Sequence, residues 1–209
     1  MDAQAGRRLN KTLTSLIACG ALWVWPTAQA QVAPATPAPP PLTALPSLDV
    51  PGYMGIWYQV AWFPNRFQKQ CVSDTAASYR QLPDGEGVEV INRCRLADGK
   101  LDTATGLARP AGSTLRGTQL EPAKLEVSFL PRLLRWLPIW GSYWVIQRAD
   151  DGRYVVISEG TREYLWVLSR TPQLTPADES AIRSRLTQQG FDLARWQAHP
   201  HTATADASR

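Results

Sequence analysis

The sequence predicts an all-β protein: an eight-stranded antiparallel up-and-down β-barrel followed by one C-terminal α-helix. Three observations lead to this fold class. Short β-branched and aromatic runs recur between turn signals, the hydrophobic period becomes helical after residue 175, and 209 residues suffice for one domain with a core. Eight tilted strands close a barrel just wide enough for side chains or one small ligand.

The first residues have the pattern of a secretory signal. A basic region with Arg7 and Arg8 precedes a mostly apolar run over residues 13–25, and Ala28 and Ala30 flank Gln29 in a small-x-small cleavage signature. The run is shorter than the ~20 apolar residues of a membrane span. We therefore expect residues 1–30 to be a signal peptide.

A second interpretation of the same segment stays open. Leu16-Ile17-Ala18-Cys19 resembles the lipobox of bacterial lipoproteins, in which the cysteine is lipidated. Both alternatives place the protein outside the reducing cytosol. The expected location is the periplasm, with an anchor in the outer membrane if Cys19 carries lipid.

Composition divides the rest of the chain. Residues 31–47 are rich in Ala, Pro and Thr and almost uncharged, which predicts a disordered linker. The folded domain is expected over residues 48–197, and residues 198–209 are expected to form a disordered polar tail.

Eight strand-like runs fill the domain. Turn signals at 83–85, 98–99 and 150–152 separate several of them. The predicted strands are residues 58–63, 72–81, 88–94, 101–109, 124–129, 142–147, 153–158 and 163–170. Thr175 then begins a capping box with Pro176 at the first helical position, and Gly190 is a plausible helix stop.

The chain is organised around a Gly-x-Trp motif at its first strand. Gly55 suits a sharp bend into the strand, and Trp57 suits an apolar space just inside it. The last predicted strand ends in Arg170, whose flat cation could stack on that indole. With these residues the sequence resembles the lipocalins, most closely the bacterial outer-membrane lipocalins, in which the two motifs meet at the closed end of the barrel.

The resemblance implies a cavity inside the barrel. Strand alternation and parity with Arg170 give candidates for its lining, and small residues among them leave volume. The candidates are Gly106, Ala108, Leu125, Val127, Phe129, Tyr143, Val145, Tyr164, Trp166 and Leu168. The alternative is that these side chains merely fill a packed core.

Cys71 and Cys94 lie at the two ends of one predicted hairpin. Antiparallel pairing places them about opposite each other, so we expect a disulfide in an exported protein, with two free thiols as the alternative. Bacterial lipocalins often carry cysteines at these places.

The residues favour no catalytic, metal or cofactor site. His199 and His201 are the only histidines and lie in the expected tail, and Asp150 and Asp151 belong to a turn. The chain has no Gly-rich phosphate loop before a helix, and a net charge of +4 is too weak to predict nucleic-acid binding. We expect a protein that is not an enzyme.

The segment that begins at Leu130 and ends at Trp140 is long and apolar for a loop between strands. With Trp62, Phe63 and Phe67 it is expected to form an apolar rim that contacts a membrane surface, or else a lid or a homodimer contact. The resemblance implies a carrier or store of a fatty acid or lysophospholipid for envelope maintenance under stress. The alternative is a non-catalytic interaction protein with a filled barrel that docks a partner through its tryptophans.

Overall fold

The computed structural model describes residues 38–83 and 87–202. The predicted signal peptide, Cys19 and the last part of the predicted tail (residues 203–209) lie outside the described residues. Within the described part the predicted fold class is confirmed: eight antiparallel strands close a barrel, and one C-terminal helix follows them.

The elements follow one another in an order that alternates direction at each hairpin. In chain order they are β1 (Leu48–Asp49), α1 (Val50–Tyr53), β2 (Gly55–Trp62), β3 (Ser73–Gln81), β4 (Val88–Arg95), β5 (Leu101–Pro110), β6 (Thr114–Arg116), β7 (Gln119–Glu121), β8 (Lys124–Ser128), β9 (Gly141–Arg148), β10 (Tyr154–Ser158), β11 (Leu165–Ser169), α2 (Pro176–Gln188) and β12 (Gln197–Ala198). Short 3₁₀ turns lie at Arg66–Gln68, Arg132–Leu134 and Leu193–Arg195.

The barrel consists of β2 to β5 and β8 to β11, each paired antiparallel with the next. It closes where β11 pairs with β2, with Val167 opposite Ala61. A register shift beside this pair, between Val167 and Leu168, is a bulge of the kind that helps a sheet curve.

The two ends of the barrel differ. The loops over residues 63–72, 96–100, 129–140 and 159–164 lie together at one end, here called the open end, because antiparallel strands return alternate loops to the same side. At the other end, here called the closed end, β1, β7 and β6 form a small separate sheet that covers the barrel with α1. Leu48 and Leu120, paired across this sheet, are buried against the barrel interior.

Two apolar cores share the barrel wall. One fills the interior and includes Trp57, Val90 and Ile157. The other lies on the outer surface, where α2 covers alternate residues of the same strands, such as Val156 and Val167. The strict alternation of inward and outward side chains produces both cores from one set of strands.

Helix α2 begins and ends as predicted. The Thr175 hydroxyl accepts a hydrogen bond from the Asp178 amide at 3.1 Å. At the other end Gly190 has a φ of +78° and the amide of Phe191 donates to the Leu186 carbonyl, which is a Schellman termination. The fully buried Leu186 lies on the face that covers the barrel.

The N-terminal boundary of the folded part differs from the prediction. The linker was expected to run to residue 47, but Leu42 is buried, Leu45 donates its amide to the Val145 carbonyl at 2.8 Å, and Arg162 donates to the Pro40 carbonyl. Residues 38–47 therefore follow the barrel from the loop containing Arg162, at the open end, to β1 at the closed end. Isolated leucines among prolines have no period, so their burial was not visible in the sequence.

The C-terminal boundary differs as well. Residues 198–202 were predicted to be part of a disordered tail, and that prediction is wrong. Gln197 and Ala198 pair with Trp62 and Ala61, and the amide of His199 donates to the Val60 carbonyl at 2.9 Å. The chain thus extends the sheet beyond β2 at the open end.

Candidate functional site

The floor of the barrel lies where Gly55, Trp57 and Arg170 meet. The Arg170 guanidinium lies 3.7 Å from the centre of the indole of Trp57 and donates to the carbonyls of Ile56 and Gly52, each at 2.8 Å. Gly55 has a φ of +92°, which only glycine adopts without strain. The structure therefore contains the stacked pair that the sequence predicts, and it seals the closed end.

The predicted lining residues lie on the interior face. Seven of them belong to the interior core or pack against it: Ala108, Leu125, Val127, Tyr143, Val145, Trp166 and Leu168. Gly106 is on the same face of β5 as Ala108, and a side chain at this position would meet the ring of Phe129 at 2.8 Å. The ring of Phe129 therefore packs directly against Gly106, nearer the open end. Tyr164 stands in the loop at the open end and stacks on Trp166, with ring centres 5.8 Å apart.

Three tyrosines lie together near the closed end. The hydroxyls of Tyr53 and Tyr143 are 2.5 Å apart, and those of Tyr79 and Tyr143 are 2.9 Å apart. Burial raises the pKa of Tyr79 to about 12 and also raises the pKa of Tyr53 and of Tyr143 well above the ordinary value, so all three are neutral donors and acceptors. Since they satisfy one another, the closed half of the interior behaves as an apolar space. Tyr53 and Tyr79 were missed by sequence reasoning, although Tyr79 has the parity of a lining residue.

A small cavity adjoins this cluster. Its volume is about 30 Å³. It is lined by Leu48, Val50, Tyr53, Met54, Tyr79, Val88, Val90, Ala108, Leu120, Leu125, Val127 and Tyr143. The closed half of the barrel is therefore nearly filled by its own side chains.

The middle of the interior is polar. The indole Nε1 of Trp166 donates to Gln68 Oε1 at 2.8 Å, and Gln68 Nε2 donates to Gln59 Oε1 at 2.9 Å. Gln59 on β2 and Thr75 on β3 are buried. Sequence reasoning missed Gln68 because its side chain comes from a loop, and alternation says nothing about loops. It also missed Gln59 and Thr75, although alternation gives both the same face as Trp57 and Ala77.

A cleft of about 520 Å³ lies at the open end between the loop after β2 and the loop before β11. Its charged side chains are Arg66, Lys69, Arg195 and Glu163, and Gln68 also lines it. The cleft thus carries more positive than negative charge, and Gln68 connects it to the polar middle of the barrel.

Exposed apolar side chains are concentrated at the open end. Within the loop over residues 130–140, Leu133 is 87% exposed and Trp136 is 78% exposed. Others at this end are Phe67, Val72, Leu101, Phe129, Leu134 and Ile139. The predicted rim also included Trp62 and Phe63, and that part is wrong, because both are buried. Trp62 points into the barrel beside Trp166, and Phe63 packs in the outer core under α2.

The two histidines, expected in a solvated tail, are buried at the open end. The amide of Thr75 donates to His199 Nε2 at 3.3 Å, and the amide of Thr202 donates to Asp74 Oδ1 at 2.7 Å. His201 Nε2 lies 2.8 Å from the carbonyl of Gln59. These contacts join the C-terminal segment to β3 and β2.

The charges in this cluster are set by their surroundings. Burial and the neighbouring His201 lower the pKa of His199 to about 4, so that ring is neutral at pH 7. Burial acts to raise the pKa of Asp74, but hydrogen bonds from Arg95, Thr202 and Ser73 outweigh it and lower the pKa to about 2. Asp74 is therefore ionised and paired with Arg95, at 2.9 Å.

Cys71 and Cys94 are joined by a disulfide, with Cα atoms 5.5 Å apart.

Within residues 38–83 and 87–202, no three His, Cys, Asp or Glu side chains are grouped so that they could hold a metal ion. No helix among the described residues is both long and apolar enough to cross a membrane.

The comparison with known families agrees with this geometry. The family model of the lipocalin-like domain matches residues 48–201, well over half of the chain. The chain belongs to the lipocalin family. Members of this family bind small hydrophobic ligands. The resemblance stated from the Gly55, Trp57 and Arg170 motif is thereby confirmed.

Relatives of this lipocalin come from several kingdoms. Temperature-induced lipocalin-1 of Arabidopsis thaliana is 34% identical over 162 residues, which are 77% of this chain and 83% of the relative. The outer membrane lipoprotein Blc of Escherichia coli K12 is 32% identical over 173 residues, which are 81% of this chain and 90% of the relative. Insecticyanin from the tobacco hornworm has a TM-score of 0.61 at 17% identity, covering 80% of this chain and 88% of that one, a likeness of fold alone.

Proposed function

We propose that this lipocalin binds a monoacyl lipid, a fatty acid or a lysophospholipid, in its barrel and carries or stores it in the cell envelope. The observation that carries the proposal is the arrangement of the interior. An apolar half at the closed end is followed by a polar middle and then by a cationic cleft at the open end. An acyl chain followed by a polar head group has the same order of chemistry.

The size of the cavity sets a condition on this function. Pockets for ligands of moderate size usually hold several hundred Å³, whereas the apolar cavity holds about 30 Å³. Phe129 is 42% exposed and packs on Gly106, which lies two residues from the cavity-lining Ala108 on the open-end side of β5. We infer that turning this ring outward extends the cavity toward the open end and lets the acyl chain enter.

The test fills the cavity from within. Ala108→Leu places a larger apolar side chain in the interior, and we expect the affinity for a fluorescent fatty acid to fall roughly ten-fold or more, because the chain and the leucine compete for one space. Thr105→Leu, on the exposed outer face of the same strand, is the matched control and should bind like the wild type. Equal affinity of Ala108→Leu and wild type would contradict binding in the barrel.

A second function is favoured by the same small cavity. A barrel filled by its own side chains could serve as a rigid scaffold that docks a partner through exposed side chains such as Trp136 and Leu133. Native mass spectrometry of protein purified from its own membrane fraction separates the two. Bound lipid supports the carrier, and lipid-free protein that also fails to bind the fluorescent fatty acid supports the scaffold.

We further propose that the open end contacts a membrane surface. The exposed apolar side chains of the loop over residues 130–140 lie at the same end as Arg66 and Lys69 of the cleft. Tryptophan and leucine beside cations suit a headgroup interface, where each basic residue contributes about 1 kcal/mol on an anionic surface. A homodimer contact is the alternative use of this patch, and size-exclusion chromatography that gives a dimer disrupted by Trp136→Ser would favour it.

The location proposed for the protein is the periplasm, with an anchor in the outer membrane through Cys19. Relatives named outer membrane lipoprotein Blc support the anchor, as does the lipobox-like run that ends at Cys19, and the basic and apolar regions of residues 1–30 support export. The name of the Arabidopsis relative supports a role under temperature stress. Mass spectrometry of the mature N-terminus tests the anchor, since an acylated Cys19 supports it and cleavage after Ala30 excludes it.

A further inference from the structure

Two buried polar side chains lie on the inner wall of the barrel, just beyond the last direct pair of β2 and β3. Gln59 on β2 and Thr75 on β3 are 2% and 4% exposed. Tyr58 and Ala76 are paired across these strands, so Gln59 and Thr75 occupy the next position toward the open end. Alternation gives them the same face as Trp57 and Ala77 of the interior core.

The hydrogen-bond directions around Gln59 are determined by one donor. An indole N–H can only donate, so the oxygen of Gln68 must face Trp166 and its nitrogen must face Gln59. Gln59 then accepts with its Oε1 atom, and its Nε2 group remains as a donor without an acceptor. Among the described residues, neither Gln59 Nε2 nor Thr75 Oγ1 has a hydrogen-bond partner.

Leaving buried polar groups without partners is costly. Each such group loses its hydrogen bonds to water on folding and gains none in return, and most buried polar atoms in proteins are satisfied. Two donors of this kind on the same interior face of a lipocalin barrel indicate a group that accepts hydrogen bonds when it is bound.

The charges around the pair decide what that group is. Asp74, next to Thr75, is an anion whose carboxylate is already bound to Arg95. His199, which accepts from the Thr75 amide, is neutral at pH 7. A carboxylate bound inside the barrel would therefore find no free cation among these neighbours, whereas an uncharged oxygen would accept from Gln59 and Thr75 without the cost of burying an unpaired charge.

We propose that Gln59 and Thr75 form a subsite for an uncharged oxygen of the bound lipid, such as the ester carbonyl that joins an acyl chain to its head group. The proposal rests on the proposed lipid-binding function and narrows its ligand to an esterified chain. Gln59 and Thr75 lie one step farther toward the open end on the interior face than Trp57 and Ala77, and Gln68 connects Gln59 to the cationic cleft. An ester between a buried chain and a head group in the cleft would stand at this level.

The experiment removes one hydrogen-bond donor without changing the shape of the side chain. Thr75→Val keeps the β-branched outline and loses the hydroxyl. We expect the affinity for 1-monooleoylglycerol, an uncharged monoester, to fall about five-fold, as one lost hydrogen bond of about 1 kcal/mol implies. The affinity for N-phenyl-1-naphthylamine, an apolar probe, should not change. The melting temperature should stay equal or rise, because a buried hydroxyl without a partner is removed. Thr103→Val, exposed on β5, is the matched control.

Three results would overturn the subsite. In the first, Thr75→Val binds the monoester as well as the wild type, so the hydroxyl does not meet the ligand. In the second, the affinities for the monoester and the apolar probe fall equally, so the role of Thr75 is in packing. In the third, wild-type protein binds neither probe, and then the lipid-binding function itself is wrong. Wild-type binding of the apolar probe therefore separates failure of the subsite from failure of the function.

Discussion

At the scale of single residues, the contact between Trp57 and Arg170 does two things at once. The guanidinium covers the outer face of the indole. Its two donors bind the carbonyl of Gly52, just before β2, and the carbonyl of Ile56, inside β2. The indole in turn donates to the Tyr53 carbonyl at 2.8 Å. One pair therefore fixes the entry into the first barrel strand and closes the barrel below the ligand space.

Truncation of this pair should destabilise the protein strongly. We expect Trp57→Ala to lower the free energy of unfolding by about 3–5 kcal/mol, as for other buried aromatic residues. Arg170→Ala should cost roughly 2 kcal/mol through lost cation–π and hydrogen-bond contacts. Urea denaturation measures both. Arg80→Ala, which breaks an exposed ion pair with Glu89, is the control and should change stability by less than about 1 kcal/mol. A Trp57→Ala variant as stable as this control would contradict the role of the pair.

Residues with a period or a motif were predictable, and residues that depend on a loop or a tail were not. Alternation along β8 places Leu125 and Val127 inside the barrel as expected. The expected rim at the end of the first strand included Trp62 and Phe63, but both side chains are buried, because Trp62 faces the interior and Phe63 packs under α2. Gln68 reaches the interior from a 3₁₀ turn, and no pattern in the sequence indicates that contact.

At the scale of elements, the C-terminal segment is a structural part of the barrel wall. β2 and β3 pair directly only from Gly55 to Tyr58. Toward the open end, residues 197–202 pair with β2 and reach Asp74 and Thr75 of β3. His199 accepts the hydrogen bond from the Thr75 amide, so this closure of the wall between β2 and β3 requires a neutral imidazole ring.

This requirement predicts a pH dependence of stability. The folded pKa of His199 is about 4, and that of an unfolded histidine is about 6.5. Between these values the unfolded state binds more protons, so stability is full above pH ~6.5 and falls as the pH drops toward 4, by on the order of 3 kcal/mol. His199→Gln keeps an acceptor for the Thr75 amide without titrating, and its stability should be flat over this range in urea denaturation.

A second pH range, in which Asp74 titrates, serves as an internal control. Asp74 has a folded pKa of about 2, against about 3.9 in unfolded chains, so its contribution is present above pH ~4 and lost below it. The variant and the wild type should therefore lose stability alike below pH 4. If they also lose it alike between pH 6.5 and 4, His199 does not control the closure.

The elements themselves were largely visible in the sequence because each barrel strand carries its own alternation and turn signals. The small sheet of β1, β6 and β7 was not, since its strands have only two or three residues, too few for a period. Residues 38–47 were missed for a related reason. Their order comes from contacts made with distant parts of the barrel, such as Leu45 with Ala123 and Val145.

At the scale of the whole molecule, three features coincide at the open end. The exposed apolar loop and the cationic cleft lie there. Pro40, near the start of the described chain, lies there too, since its carbonyl accepts a hydrogen bond from Arg162. The proposed membrane contact would bring the mouth of the barrel toward the lipid surface, which is the orientation that transfer of a lipid needs.

The orientation predicts which side chains control membrane binding. Leu133→Ser combined with Trp136→Ser should lower binding to vesicles that contain anionic lipid by roughly ten-fold or more, because two side chains that enter the interface each contribute about 1 kcal/mol or more. Both are exposed in the free protein, so the fold should not be affected. Trp140 is left unchanged because Arg109 packs over its ring at 3.8 Å.

The control lies at the other end of the molecule. Leu115 on β6 is exposed at the closed end, and Leu115→Ser should bind vesicles like the wild type. Co-sedimentation with vesicles measures the binding, and titration with a fluorescent fatty acid checks that the barrel still takes its ligand. If vesicle binding depends on Leu115 as much as on Trp136, the open end is not the membrane face. If instead the double variant keeps its vesicle binding and loses ligand affinity, the loop over residues 130–140 covers the mouth as a lid.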